Sequence, residues 1–473
     1  MRICLICEGS YPYVQGGVSS WVQMICNQMK DTEFVIWSLA TTKEEMKEYK
    51  YTLPENIKEV HTFYLGEDKF RTKKREIRLD EKDRKVLENM VVGDLGKADW
   101  RKTLAFIQKY RNDLVDVVMG EDFYEICLAE YKERDSTKVF HQFLWNYRSM
   151  YFPVIGILNE EIPKADIYHS LSTGYAGLLG SCASFVEQKP FLLSEHGIYT
   201  REREEDIIRS NWVDGAFKKT WIRFFRRLSY VAYNQASLVT TLFEVNKTLQ
   251  VDLGCPVEKI QIIPNGVDPN GYEELTRELA PPKSEGVTRI GAILRIVPIK
   301  DVKTMLLSYE IVKSQDAGTQ LYLMGNYEED PQYYQECLKL ILDMNIQDVV
   351  FTGQVNIKDY LASIDILLLS SISEGQPLAL LEGLAAGIPF VTTNVGHCRG
   401  ILEGDGEDSL GSAGYVVPVM NSVKMAKATL DLIRDPLLRK KMGETGKQRV
   451  KTYYSQKSCL DRYDRIYHQL NGG

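Results

Sequence analysis

DILLLSSISEGQPLALLEGLAAGIPFVTT, residues 365–393, carries two short apolar runs, DILLLS (365–370) and PFVTT (389–393), on either side of a loop and a helix opened by Pro377. Continuous apolar strands that alternate with helices are the mark of a parallel sheet covered on both faces. The same alternation recurs outward along the chain. Before this stretch it passes RIGAIL (289–294), QLYLMG (320–325) and VVFTG (349–353). In the first half it runs through RICLIC (2–7), FVIWSLA (34–40), DIYHSL (166–171), PFLLSE (190–195) and LVTTLF (238–243). The reading is α/β, two doubly wound domains in series. Their joint lies in IIPNGVDPNGYEELTRELAPPKSEG (262–286), where Pro, Gly and Asn accumulate and periodicity stops. The expected domains are 1–270, with a charged helical insertion at about 66–135, and 271–452, followed by a C-terminal helix, 453–473, that crosses back to the first domain.

A chain of 473 residues fits two or three domains, each able to bury a full core. With 58 basic against 65 acidic residues, the formal charge of −7 gives no chain-wide case for nucleic-acid binding. No apolar run reaches the roughly 18 residues of a membrane span, and MRICLICEGSYPY reads as a strand rather than a leader, so the expectation is a cytoplasmic protein. Nine scattered cysteines point to reduced thiols. Cys4 and Cys7 spell C-x-x-C, but in a strand that spacing sends the two side chains to opposite faces, which favours small buried hydrophobes over a redox pair. The histidines form no H-x-x-x-H pair that would suit zinc. The charged run KFRTKKREIRLDEKDRK (69–85) is read first as a solvated helical face and second as a docking surface for a partner.

The loop SEGQ leaves a strand end and meets a helix start, a place that favours phosphate because the first-turn N–H groups are unpaired. Yet Glu374 stands in that loop and Glu382 stands about 7.5 Å along the helix axis from Pro377. Carboxylates repel phosphate and accept hydrogen bonds from diols, so the pair suits a ligand carrying both: a nucleotide-sugar. GAILRIVPIKD supplies the positive charge, with Arg295 just after the first strand of the second domain and Lys300 near the next helix start. There is no Asp-x-Asp metal motif; DGEDS (405–409) is the nearest approach. No cofactor or metal is expected.

In combination, EGQPLALLE as E-x7-E, R-x4-K, IPNGVD and the glycine pair of YVQGGVSSW resemble glycosyltransferase family 4, retaining enzymes of the GT-B fold. CEGSYPYVQGGVSSWV, HSLSTGYAGLLG and SEHGIYTRERE are similar to the PelF subfamily, the cytosolic glycosyltransferases of Pel exopolysaccharide synthesis. The resemblance implies two Rossmann-like domains facing across a cleft. It implies that Glu382 binds the ribose hydroxyls, Glu374 the transferred sugar, and Arg295 and Lys300 the diphosphate. Gly375, Gln376, Pro377 and Leu378 would form the donor-binding loop, Gly16 and Gly17 would let the first-domain backbone approach the ligand, and His196 would reach the donor sugar. Neither carboxylate is then free to act as a nucleophile, which implies front-face substitution with the leaving phosphate taking the acceptor proton. The implied partners are a UDP-sugar donor, a polysaccharide acceptor and membrane proteins of a synthase and export complex, with no nucleic acid.

Two other classes remain open at this point. A nucleotide-sugar epimerase would use the same fold without an acceptor, and a non-catalytic subunit would bind the sugar nucleotide only. A dinucleotide oxidoreductase is disfavoured, since EGSYPYVQGG lacks G-x-G-x-x-G. In FKKTWIRFFRRLSYVAY (217–233), Phe217, Trp221, Phe224, Phe225 and Leu228 share one helical face and Lys219, Arg223, Arg226 and Arg227 another. The expectation is a helix packed on its own sheet, the alternative an interfacial helix.

Overall fold

The computed structural model describes residues 1–473 except 41–47, 66–74, 94–98, 135–138, 211–212, 273–274, 276–280, 407 and 473. The chain divides into two units, Met1–Ile263 with Tyr463–Gly473, and Pro264–Arg462. The division falls short of 270 because Val267 and Tyr272 are buried in the core of the second unit, and Val267 pairs with Ser455.

The first unit holds a seven-stranded parallel sheet of β1 (Arg2–Glu8), β2 (Glu33–Ala40), β3 (Ile57–Tyr64), β4 (Ile167–Ser170), β5 (Phe191–Glu195), β6 (Leu238–Thr241) and β7 (Ile260–Ile262), in the order β3-β2-β1-β4-β5-β6-β7. The second holds six: β8 (Thr288–Ile293), β9 (Thr319–Met324), β10 (Val349–Gly353), β11 (Ile366–Leu369), β12 (Phe390–Thr393) and β13 (Gly414–Val417), in the order β10-β9-β8-β11-β12-β13. Each unit is thus the expected doubly wound α/β layer. Three strands escape the sequence reading, β3, β7 and β13, and all three are sheet edges. An edge strand has one neighbour, and the IKEVHTFY of β3 leaves several of its residues exposed, so no continuous apolar run marks it. All nine cysteines are buried thiols. Cys4 and Cys7 lie within β1, and burial pushes the Cys7 thiol up to about 12, so neither has thiolate character at neutral pH.

Parts of the charged segment, 66–74, 94–98 and 135, lie outside the described residues. The remainder forms helices Glu81–Val91, Trp100–Tyr110, Leu114–Met119 and Glu121–Arg134. Their apolar faces, including Val86, Leu104, Ile107, Val117 and Phe123, join the core of the first unit. Arg84, on the solvent side, pairs with the buried Asp122 at 3.4 Å and the exposed Glu125 at 2.9 Å. The segment is therefore a core layer with a solvated face.

The helix Lys218–Gln235 buries the stripe read from sequence: Trp221, Phe224, Phe225 and Leu228 are all core residues, as is Phe217 just before it. Arg227 donates to the carbonyls of Met90 and Val91 at 2.9 and 2.5 Å, and Arg226 pairs with Glu204 at 2.8 Å. With the stripe covered by protein, salt-resistant binding to anionic vesicles is not expected. Phe224→Ala should lower stability by about 3–5 kcal/mol in urea unfolding, the cost of deleting a buried aromatic; a loss below about 1 kcal/mol would show that the stripe is not packed. No described helix is long and apolar enough to cross a membrane.

Candidate active site

In the second unit the winding of the sheet reverses between β8 and β11, which are hydrogen-bonded neighbours with Ile366 opposite Ile290 and Leu367 opposite Gly291. Open parallel sheets bind ligands outside the carboxyl ends of the strands at such a point. The loops that leave these two strands carry R-x4-K and E-x7-E, so the topology joins motifs about eighty residues apart in sequence.

The chain leaves β8 beside Gly325, where a Cβ would lie 1.9 Å from the Leu294 carbonyl oxygen and φ is +153°, so only glycine fits. Leu294 and Ile296 N–H donate to the carbonyls of Met324 and Asn326 at 3.0 and 2.8 Å. Pro298–Lys300 then makes a 3₁₀ turn, and Asp301 accepts from Thr304 N–H at 3.3 Å to open the helix Val302–Gln315. Two bonds stitch this loop to the one after β11: Ile372 N–H to the Ile299 carbonyl at 2.9 Å, and Ser370 Oγ to the Lys300 carbonyl at 2.8 Å.

The stitching sets Lys300 Nζ 2.5 Å from Glu374 Oε1, which also accepts from Ser371 Oγ at 2.6 Å. The two charged side chains are only 18 and 11% exposed. Arg295 is not part of this pair. It bonds Glu329 at 2.5 Å with both side chains nearly half exposed, an ion pair that costs little to break.

Pro377 stands one residue outside the helix, which runs Leu378–Ala385, rather than at its first position. Its ψ of 121° is extended, so the turn of helix begins only at Leu378. The preceding loop is fixed from two sides. Gln376 Oε1 accepts from Asn265 N–H at 2.6 Å, and the Gly375 carbonyl accepts from His397 N–H at 2.9 Å. Gly396 has φ +51°, and a Cβ there would meet the Gly375 and Glu374 carbonyl oxygens at 2.2 and 2.3 Å, so a bare backbone is required beneath the loop.

Glu382, on the helix, is half-buried. Burial pushes its carboxyl pKa up, opposed by a hydrogen bond from the Tyr272 hydroxyl and by the charge of Lys358. Lys358 Nζ lies over the Tyr272 ring, 4.8 Å from its centroid.

The other expected residues belong to the first unit. Gly16 and Gly17, after β1, open the helix Gly17–Gln28, and a Cβ on either would meet nothing within 4 Å. Gly16 has φ 175°, so neither protein neighbours nor backbone conformation demand glycine there. His196 follows β5, half-buried, its ring 4.9 Å from that of Trp21. Beneath it His169 bonds Ser194 Oγ at 2.7 Å and the Tyr467 hydroxyl at 2.8 Å. Burial, and then the neighbouring His196, hold the His169 pKa down to about 3, so His169 is neutral and structural. Glu195, adjacent in sequence, is buried and accepts from Tyr233 at 2.5 Å and Gln250 at 2.9 Å.

Sequence reasoning missed Ser371, Tyr272, Lys358, Asn265 and Gly396. Ser371 sits in the quoted loop, where a small hydroxyl between a strand end and an acid was the available signal. Tyr272 lies in the aperiodic joint and Lys358 on a five-residue helix, Ile357–Leu361, and nothing local marks either.

Residues 1–258 match the family described as "Domain of unknown function (DUF3492)", and residues 287–435 match "Glycosyl transferases group 1". Among curated relatives, the N-acetyl-alpha-D-glucosaminyl L-malate synthase of Bacillus anthracis is 28% identical over 246 residues, 50% of this chain and 60% of the relative. The amylovoran biosynthesis glycosyltransferase AmsK of Erwinia amylovora is 27% identical over 276 residues, 57% of this chain and 63% of the relative. The alignments thus span a little under two thirds of these relatives. Among solved structures, Anabaena Alr3699/HepE in complex with UDP-glucose superposes with a TM-score of 0.60 over 99% of this chain and 100% of that one, at 14% identity. That likeness shows the fold, two parallel-sheet α/β units of the GT-B type. The chain belongs to the family described as "Domain of unknown function (DUF3492)", and its second unit is a group 1 glycosyl transferase domain.

Proposed function

We propose that the protein is a retaining, metal-independent hexosyltransferase that moves a sugar from a UDP-linked donor to a growing exopolysaccharide. The observation that carries this reading is the Lys300–Glu374 pair held beside a helix start at the reversal between β8 and β11. A cation for a leaving diphosphate and a carboxylate for sugar hydroxyls stand together there. In this reading Glu382 accepts from the ribose hydroxyls and Glu374 from the transferred sugar. Lys300, the N–H groups of Gly375, Gln376 and Leu378, and Arg295 released from Glu329 hold the phosphates. The open space over Gly16 and Gly17 lets their backbone approach the ligand. His196 contacts the sugar.

The acceptor hydroxyl oxygen bonds to the anomeric carbon as the bond from that carbon to the phosphate oxygen breaks, on the same face. The departing phosphate takes the hydroxyl proton. The protein supplies position and positive charge. A polysaccharide acceptor is supported by the name of the Erwinia relative and by the resemblance to PelF, which also favours a cytoplasmic enzyme that meets membrane proteins of an export complex. UDP as the base-bearing group is supported by the ligand named with the Anabaena structure.

A thermal-shift screen of UDP, GDP and ADP, each with and without an attached glucose and each run with EDTA, tests the donor and the metal together. UDP and UDP-glucose are expected to raise the melting temperature through mass action, by the same amount with or without the chelator. Preference for another base would correct the donor, and an EDTA-sensitive, magnesium-restored shift would overturn metal independence.

A further inference from the structure

Glu382 is a flexible side chain on a short helix, and binding a vicinal diol requires both of its oxygens to point one way as acceptors. The structure supplies a restraint that the motif does not contain. Tyr272 is only 8% exposed and belongs to the same buried cluster as Leu381 and Leu384, the residues beside Glu382 on its helix. Its ring is therefore held by packing, with its hydroxyl beside the Glu382 carboxylate. Lys358 lies over the ring, its ammonium 4.8 Å from the centroid. Asp268 lies by the same turn, since a Cβ on Gly271 would meet Lys358 Nζ at 2.9 Å and Asp268 Oδ2 at 3.5 Å.

We propose that Tyr272, backed by Lys358, is a positioning residue that aims the Glu382 carboxylate at the ribose 2′- and 3′-hydroxyls of a nucleoside diphosphate. This rests on the placement of Glu382 at the ribose proposed above. One phenol hydroxyl occupies one of the roughly four lone-pair sites of a carboxylate and leaves the rest for the diol. It also fixes which way those sites face. The ammonium adds a positive field that opposes the upward push of burial on the Glu382 carboxyl. Tyr272 need not touch the ligand, because its effect passes through Glu382.

The test is calorimetric titration of UDP and of 2′,3′-dideoxy-UDP into the wild type, Tyr272→Phe, Lys358→Met and Glu382→Ala. The wild type should prefer UDP by about tenfold or more, the worth of hydrogen bonds to a charged group. Tyr272→Phe should lose about fivefold in affinity for UDP and nothing for the dideoxy ligand, with Lys358→Met smaller and of the same sign. Lys358 is exposed, so its variant carries the test should Tyr272→Phe fail to fold. Equal losses on both ligands would mean that Tyr272 only packs, and would overturn the proposal. A preference abolished in Glu382→Ala but intact in Tyr272→Phe and Lys358→Met would overturn the positioning role alone. A full preference in Glu382→Ala, or no UDP binding by the wild type, would remove Glu382 from the ribose and overturn both readings together.

Discussion

Lys300→Ala is expected to lower turnover by about a hundred- to a thousandfold, the range for removing one preorganised group that meets charge developing in a transition state. Two effects add. The variant removes the ammonium that faces the leaving diphosphate, and it leaves Glu374, whose side chain is 11% exposed, without its cation. An uncompensated, largely buried carboxylate is costly, and it repels an incoming phosphate. The two losses separate in a double-mutant cycle. Glu374→Gln on the Lys300→Ala background should recover part of the affinity for UDP, because the repulsion goes, while turnover stays low. Steady-state kinetics with UDP-glucose and calorimetry with UDP give the two quantities. Full turnover in Lys300→Ala would remove the pair from the chemistry. Arg295→Ala should cost less, since Arg295 is half exposed and bonded to Glu329 in the free protein.

His196→Ala is expected to cut kcat by about a hundredfold, within the range of a positioned polar group in a transition state, and to leave UDP affinity unchanged. The reason for the split is that the proposed contact is to the sugar. The ring is already oriented: it meets the Trp21 indole edge-on at 4.9 Å, over a layer in which His169, Ser194 and Thr240 are linked by hydrogen bonds of 2.7 and 2.6 Å. That layer stays neutral, with His169 held down to about 3, so it offers no counter-charge to His196 and fixes only its place. A uniform loss in kcat and in UDP binding would point to damaged packing, and unchanged kcat would make His196 a core residue.

The sheets were legible where strands are buried on both faces. RICLIC, PFLLSE and DILLLS read as continuous apolar runs because β1, β5 and β11 lie inside their sheets. β3, β7 and β13 were not legible, because an edge strand needs less apolar sequence and β7 is only three residues long. The loop before Leu378 was legible through its glycine and proline, although Pro377 proved to cap the helix rather than begin it. The pairing inside the site was only partly so. Lys300 and Arg295 are five residues apart and look alike in sequence, yet the bonds from Ser370 and Ile372 bring only Lys300 to Glu374. Tyr272 could not be found from local pattern at all. Its role depends on the joint folding back into the core of the second unit, which is a tertiary fact.

The most direct test of the central claim is phosphorus NMR of UDP with the wild type and with Lys300→Ala. The account predicts that saturating wild-type protein shifts and broadens the β-phosphorus signal, in the presence of EDTA, and that Lys300→Ala at the same concentration leaves much of that signal at its free position. A β-phosphorus signal that stays at its free position with the wild type, or that shifts equally with both proteins, would contradict it.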